Sequence, residues 1–233
     1  MLPDFYTGIG MQLQAIAEAR TIGAVFARLE SDGFLLRVDP TVAPTMMRGA
    51  ILSETELALL RRIEDVARLG HVRRIERDRI VFEHGALPGD ENTVYVHCAA
   101  QGLSRPPLRP IFEPDRVTVQ PCFWGFVSFQ FALLGVVESL IDGVEEKNRL
   151  CPPVRYWDTP RDYLSAFGAL LKAQQARASY PSVASWASQT RLSPMGAIGR
   201  YREHPQGRQA LERIQRFGAQ AAGNLVKLLA TGA

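Results

Sequence analysis

Apolar residues recur at steps of three and four along much of the chain, a spacing that is typical of helices with one buried face. Near the start this pattern covers residues 9–19 and 21–30. It returns in the last third of the sequence at residues 161–178, 182–188 and 206–229. The pattern therefore predicts a helix-rich chain whose C-terminal part is built from helices and loops alone.

The hydrophobic period changes in the middle of the chain. Ser53 and Glu56 have the spacing of a capping box, which predicts the start of a short helix. Residues 71–84, HVRRIERDRIVFEH, then place a short apolar run on each side of a charged turn, and this is a hairpin pattern. Residues 93–98, TVYVHC, predict a further strand that leads into small residues. Together these runs predict a β-meander.

A stretch without charged residues at 117–137, VTVQPCFWGFVSFQFALLGVV, is long enough to span a bilayer. It is interrupted by polar residues and helix breakers at Gln120, Pro121, Gly125 and Gln130. Backbone broken in this way is poorly satisfied in lipid. We therefore predict a strand at 117–120, a turn and a buried helix at about 126–141, with a membrane-associated protein as the alternative.

Composition excludes several classes of protein. The chain has 233 residues, of which 46% are hydrophobic and 22% charged, so it is neither disordered, nor collagen-like, nor a disulfide-rich miniprotein. A net charge of +3 is too small for a dedicated nucleic-acid binder. The sequence begins MLPDFYTG, without the basic segment of a signal peptide, which predicts a cytoplasmic protein.

No motif in the chain identifies a reaction by itself. GxGxxG, GxxxxGK[ST], HExxH and GxSxG are all absent from the sequence. The widely spaced Cys98, Cys122 and Cys151 lack a CxxC, so we expect reduced core or near-core residues and no redox-active dithiol. The histidines lack the spacing of metal ligands, so no metal site is predicted; they are His71, His84, His97 and His204. His97 is either structural or an acid–base residue.

Two residue clusters each allow a structural and a functional interpretation. The arginines between residues 61 and 79 are interleaved with acidic residues, which favours a solvated face; a phosphate-binding patch is the alternative. The aromatic residues between 123 and 131 are either core or a wall against a planar ring system such as isoalloxazine.

The pattern LRRIEDVARLGHVRRIERDRIV at residues 60–81, together with the following residues up to 102, resembles a module of FAD- and NAD(P)-dependent oxidoreductases of the two-dinucleotide-binding type, in a bacterial subgroup. In that family a β-meander returns the chain to the FAD domain, and its last strand ends in a small-residue turn beside the flavin nucleotide. The resemblance implies a mixed, helix-rich α/β fold: a β-meander plus strand–helix of an incomplete dinucleotide-binding domain in residues 1–145, then a helical C-terminal region in 146–233. The cofactor contacts that it implies are Ala99, Ala100, Gly102, Gln120, Pro121 and Phe123.

The function that the resemblance implies is hydride transfer between NAD(P)H and FAD, on a substrate that the sequence does not identify. It assigns no catalytic base. The turn reads CAAQG where the family has ATG, and no glycine-rich fingerprint precedes Phe34. We therefore expect the C-terminal half of a flavoprotein that requires an N-terminal half. The alternative is a non-catalytic interaction domain completed by a partner chain or by self-association.

Overall fold

The computed structural model describes residues 2–47, 49, 52–98, 107–194 and 202–231. The helices are α1 (Leu2–Glu18), α2 (Ile22–Ser31), α3 (Glu54–Leu60), α4 (Val127–Leu140), α5 (Val144–Leu150), α6 (Pro160–Ala178), α7 (Pro181–Gln189) and α8 (Pro205–Ala230). The strands are β1 (Val72–Ile75), β2 (Arg79–Phe82), β3 (Gly85–Pro88), β4 (Phe112–Glu113) and β5 (Arg116–Val117). The fold is mixed α/β: about half of the chain is helical, and the described residues form two small antiparallel sheets.

The chain divides into two compact units. The first, here called the helical unit, comprises Met1–Leu52 and Arg105–Ala233. The second, here called the meander unit, is Ser53–Ser104. The predicted domain boundary between residues 145 and 146 lies inside α5, and both sides of it belong to the helical unit.

Short polar side chains begin several of the helices. Thr21 accepts a hydrogen bond from the backbone of Ala24 at the start of α2. The predicted capping box of Ser53 and Glu56 is confirmed at the start of α3. Thr159 forms another with Asp162, and Pro160 occupies the first turn of α6, where its missing N–H costs nothing. The helices predicted at 21–30, 161–178, 182–188 and 206–229 therefore begin at the expected positions to within one residue, whereas α1 begins at Leu2 and not at residue 9 as predicted.

Helices α1 and α8 pack against each other to form the main core of the helical unit. Apolar residues of both helices share this core, together with residues of α2 and α6; among them are Leu13, Ile16, Val25, Leu164, Phe167, Ala221 and Leu225. Asn224 on α8 donates hydrogen bonds to the carbonyls of Ile16 and Ala19, both at 2.7 Å. These bonds satisfy carbonyls at the C-terminal end of α1, which have no partner within their own helix.

A second core in the helical unit surrounds α4. Phe129, Leu133 and Val137 on one side of this helix pack with Phe112 of β4 and Ile111 just before it, and with Leu150 of α5 and Val183 of α7. The helix predicted at about 126–141 is therefore confirmed, whereas Val117, in β5, is the one residue of the strand predicted at 117–120 that lies in a strand. In the described ranges, none of the helices combines the length and the apolar character needed to cross a membrane.

The side chain of Asn148 holds β4 in place. Its Oδ1 accepts hydrogen bonds from the backbone N–H groups of Ile111 and Phe112, each at 3.0 Å. Its Nδ2 donates to the carbonyls of Phe112 at 2.8 Å and Val144 at 3.0 Å. One carboxamide on α5 thus satisfies buried backbone that a two-residue strand leaves unpaired.

The meander unit contains the three-stranded antiparallel sheet β1–β2–β3. The predicted hairpin is confirmed as β1 and β2, but the predicted strand at 93–98 is wrong. The third strand is β3, which follows β2 after a two-residue turn and pairs Phe82 with Gly85. Gly85 has a φ of 152°, which favours glycine. Residues 93–98 have β-forming side chains but no regular structure, and Val94 is 85% exposed.

We expect Asn148→Ala to lower the free energy of unfolding by about 2–3 kcal/mol, because buried backbone groups at β4 lose their partners. Urea denaturation followed by circular dichroism measures this change. Gln215→Ala, at an exposed position inside α8, is the matched control and should stay within about 0.5 kcal/mol of the unchanged protein. Equal stability of the two variants would show that the Asn148 bonds contribute nothing.

Candidate functional site

The segment from Gln120 to Trp124 connects β5 to α4 without regular structure, and it carries three of the predicted flavin contacts. The Gln120 carboxamide accepts a hydrogen bond from the backbone N–H of Arg109 at 3.2 Å and donates to its carbonyl at 2.8 Å. The Pro121 carbonyl accepts a hydrogen bond from the backbone of Val154 at 2.7 Å. The segment is thus fixed to its neighbours by its own polar groups.

The remaining predicted contacts fall in two places. Ala99, Ala100 and Gly102 lie outside the described residues, so their role stays a prediction. Phe123 is buried, and its ring packs edge-on against Phe129 at a centroid distance of 4.7 Å. With Gln120 also buried, these two side chains serve the core and offer no free polar atom to a ligand.

The aromatic stretch is core only in part. Phe123 and Phe129 are core residues, whereas Phe126 and Phe131 are exposed, and a wall against a planar ring system stays a prediction. Trp124 packs edge-on against Phe123 at 4.9 Å, and its indole nitrogen is buried without a hydrogen-bond partner in the described structure. The Trp157 indole nitrogen is in the same situation. Such unpaired donors cost stability, because each loses its bond to water on folding.

Two thiols that sequence spacing separates lie together in the second core. Cys122 follows Pro121, and Cys151 ends α5; both are fully buried, and their side chains are hydrogen-bonded to each other. Wide spacing in the sequence therefore does not keep these two thiols apart, because α4 and α5 return the backbone to the same place; the absence of a redox-active dithiol stays a prediction. Cys122 and Cys151 are free and buried, as predicted. Cys98 is exposed, so its prediction as a core or near-core residue is wrong.

Arg177 near the end of α6 lies beside the two thiols and is itself buried. Its Nη1 donates a hydrogen bond to the carbonyl of Leu150 at 2.7 Å, next to Cys151. Its guanidinium stacks over the ring of Phe123, next to Cys122, at 5.5 Å from the centroid. Arg177 thus contacts a chain neighbour of each thiol, Leu150 beside Cys151 and Phe123 beside Cys122. Burial lowers the pKa of Arg177, since the charged form loses hydration.

The thiols respond in opposite directions to this environment. The hydrogen bond from Cys151, helped by the charge of Arg177, lowers the pKa of Cys122 against the opposing effect of burial. The same hydrogen bond, together with burial and the adjacent Cys122, raises the pKa of Cys151. Within this coupled pair the surroundings favour the thiolate at Cys122 and the thiol at Cys151.

A sequence signal for this arrangement exists in the periodicity of α6. Leu170 and Ala173 are buried on this helix, and Arg177 continues the same stripe at the helical step. An arginine on an apolar stripe requires a buried partner. The partner itself is set by tertiary packing, and no spacing in the sequence points to Cys122 and Cys151.

The other predicted candidates lie at the surface. His71 bonds Glu83, and Glu83 also pairs with Arg73 at 2.5 Å. Glu76 pairs with both Arg74 and Arg79, which lowers the pKa of its carboxyl. These exposed pairs favour a solvated face for the arginine cluster. In the described ranges no group of three or more His, Cys, Asp and Glu side chains is arranged to hold a metal ion, and His97 is exposed.

Comparison with known proteins gives relatives but no function. No protein-family model matches the chain, and no solved structure gives a significant match. The chain is 36% identical over 190 residues to proteins named as uncharacterised in Mycobacterium tuberculosis, strains H37Rv and CDC 1551, and in Mycobacterium bovis. The match covers 82% of this chain and 35% of each relative. The chain thus spans about a third of the length of the curated relatives it matches.

We expect Phe123→Ala to lower the free energy of unfolding by about 3–5 kcal/mol, because it leaves a cavity in the second core. Phe131→Ala is the control on the neighbouring helix, where the ring is 44% exposed and its loss should cost less than about 1 kcal/mol. Denaturation without any added flavin measures both. If Phe123 served only as a flavin contact, its removal would leave this stability unchanged.

Proposed function

We propose that the chain is part of an oxidoreductase that uses FAD and NAD(P)H, and that the meander unit docks on a nucleotide-binding portion outside this sequence. The resemblance of residues 60–102 supports the enzyme class. The observation that carries the docking role is an apolar sheet face that the meander unit leaves open.

The apolar face of the sheet is produced by a bulge in β1. Val72 pairs with Phe82, and Ile75 pairs with Ile80. On a regular strand, residues three apart such as Val72 and Ile75 point to opposite faces of the sheet. The register shift between Val72 and Arg74 places Val72 and Ile75 on the same face. Leu87 on β3 extends this row, since it pairs with Ile80. Five apolar side chains therefore share one face of a small sheet.

This face is not covered by a core within the unit. Ile75 is 49% exposed and Leu87 37% exposed. Among residues 53–98 of the meander unit, Leu57 alone is buried. A small three-stranded sheet needs a packed apolar face for stability, so the open face favours a partner surface.

The length of the relatives supports the choice of partner. Each relative carries about two thirds of its length outside the match with this chain. In a flavoprotein of the proposed class, that length is sufficient for the glycine-rich phosphate-binding unit that is missing here. The occupant that we propose for the apolar face is therefore this nucleotide-binding portion.

The described residues fit a supporting role better than direct contact with flavin. Gln120 and Phe123 are committed to the core, and the Pro121 carbonyl already accepts a hydrogen bond from Val154. Flavin contacts then fall to the outside portion and to Ala99, Ala100 and Gly102. This observation also favours a second candidate function, a non-catalytic interaction domain that completes the fold of a partner without a cofactor.

Co-expression separates the two proposals. The chain is produced together with the part of the Mycobacterium tuberculosis relative that lies outside the match, and the product is analysed by size-exclusion chromatography with protein and flavin absorbance. A yellow complex that NADPH or NADH bleaches supports the oxidoreductase. A colourless complex supports the interaction domain, and two separate species contradict both proposals.

The double substitution Ile75→Ser with Leu87→Ser tests the apolar face in the same complex. We expect binding to weaken by about tenfold or more, because truncating buried interface residues costs over about 1 kcal/mol. Stability of the chain alone should change little, since both side chains are largely exposed before binding. Arg74→Ser, at a position opposite Val81 on the other face, is the control. Equal binding of the double variant and the control would contradict this docking surface.

A further inference from the structure

We propose that Cys122 and Cys151 form a reactive dithiol that a hydroperoxide converts to a disulfide, with Arg177 as its positioning residue. The inference is independent of the proposed function, because it concerns the second core of the helical unit alone. Its basis is the geometry of three buried side chains and of the backbone on either side of them.

The backbone around each thiol is held by hydrogen bonds. The Cys122 N–H donates to the Gln130 carboxamide oxygen at 3.1 Å, and the Cys151 N–H donates to the Lys147 carbonyl at 3.0 Å. The bond between the Val154 N–H and the Pro121 carbonyl joins the two segments directly. The sulfur atoms are therefore kept near each other before any reaction, which favours ring closure over competing reactions.

Arg177 supplies the positive charge of the site. Its bond to Leu150 and its stacking on Phe123 fix the guanidinium beside both thiols. A cation next to a thiol favours the thiolate, which is the nucleophilic form. The lowered pKa of Cys122 and the raised pKa of Cys151 agree with Cys122 as the attacking thiol and Cys151 as its resolving partner.

The reaction balances with one molecule of hydrogen peroxide. The Cys122 thiolate attacks one peroxide oxygen, the O–O bond breaks, and the leaving hydroxide takes up a proton to form water. The Cys151 sulfur then attacks the Cys122 sulfenic sulfur, the S–O bond breaks, and the Cys151 proton leaves with the hydroxyl as a second water. Two electrons pass from the thiols to the peroxide. Full burial of both sulfurs favours this small oxidant over a bulky disulfide.

The test uses the full chain carrying Cys98→Ser, which removes the exposed thiol. After treatment with hydrogen peroxide we expect a loss of two hydrogen atoms by intact mass, a Cys122–Cys151 cross-linked peptide, and recovery of both thiols with dithiothreitol. Addition of oxygen to a single cysteine without a cross-link would overturn the proposal. So would two intact thiols after a treatment that fully oxidises Cys98 in the unchanged protein.

Single substitutions in the same background test the order of the two steps. In Cys151→Ser we expect Cys122 to stop as a sulfenic acid, which dimedone traps. In Cys122→Ser we expect Cys151 to remain reduced over the same time. The reverse assignment of the trapped species would overturn the role given to Cys122.

Arg177→Met tests the positioning residue through the pH profile of disulfide formation. We expect the rate near neutral pH to fall about tenfold and its midpoint to move to higher pH, because the thiolate loses the adjacent charge. Arg149→Met is the control, since Arg149 also stacks over an aromatic ring, at 5.8 Å from Tyr180, but is exposed. An unchanged pH profile in folded Arg177→Met protein would overturn this role. If that variant does not fold, the trapping experiments on Cys122 and Cys151 still decide the proposal.

Discussion

Buried backbone must find hydrogen-bond partners, and this constraint governs the second core of the helical unit. The chain between β4 and α4 has almost no regular structure, so side-chain carboxamides replace the missing ladder. Asn148 serves β4, Gln120 serves Arg109, and Gln130 serves Cys122. Because these amides lie on different elements, each bond also fixes one element relative to another. The position of both buried thiols follows from that network.

A buried guanidinium is a costly component of such a core. Burial of Arg177 disfavours its charged form, and the compensation comes from the Leu150 carbonyl, the Gln174 carboxamide oxygen, the Phe123 ring and the two thiols. A methionine of similar length would fill the same space without the cost of desolvation. The presence of arginine therefore favours a role for its charge, and the thiols are its ionisable neighbours.

The sequence predicted local features well and tertiary ones poorly. Helices α4 and α6 and the capping box at Ser53 follow from spacing and short-range hydrogen bonding, which a sequence displays directly. The third strand of the meander is predicted at 93–98 from its β-forming side chains, but it lies at Gly85–Pro88. The tight turn before Gly85 returns the chain to β2 directly, and this signal is weaker in the sequence than the apolar run at 93–98. The thiol pair was missed because its members meet only through the packing of α4 and α5. The predicted turn at 99–102 lies outside the described residues.

The pairing of α1 with α8 has a consequence for biosynthesis. These two helices form the main core of the helical unit, yet the meander unit and every other element described here separate them along the chain. While the ribosome is still synthesising the intervening residues, α1 has no access to its principal partner. Its apolar side chains must stay in contact with water, with α2 or with a chaperone until α8 emerges. Completion of the helical unit must therefore wait until α8 has been made, whereas the hairpins of the meander unit can form as they are made.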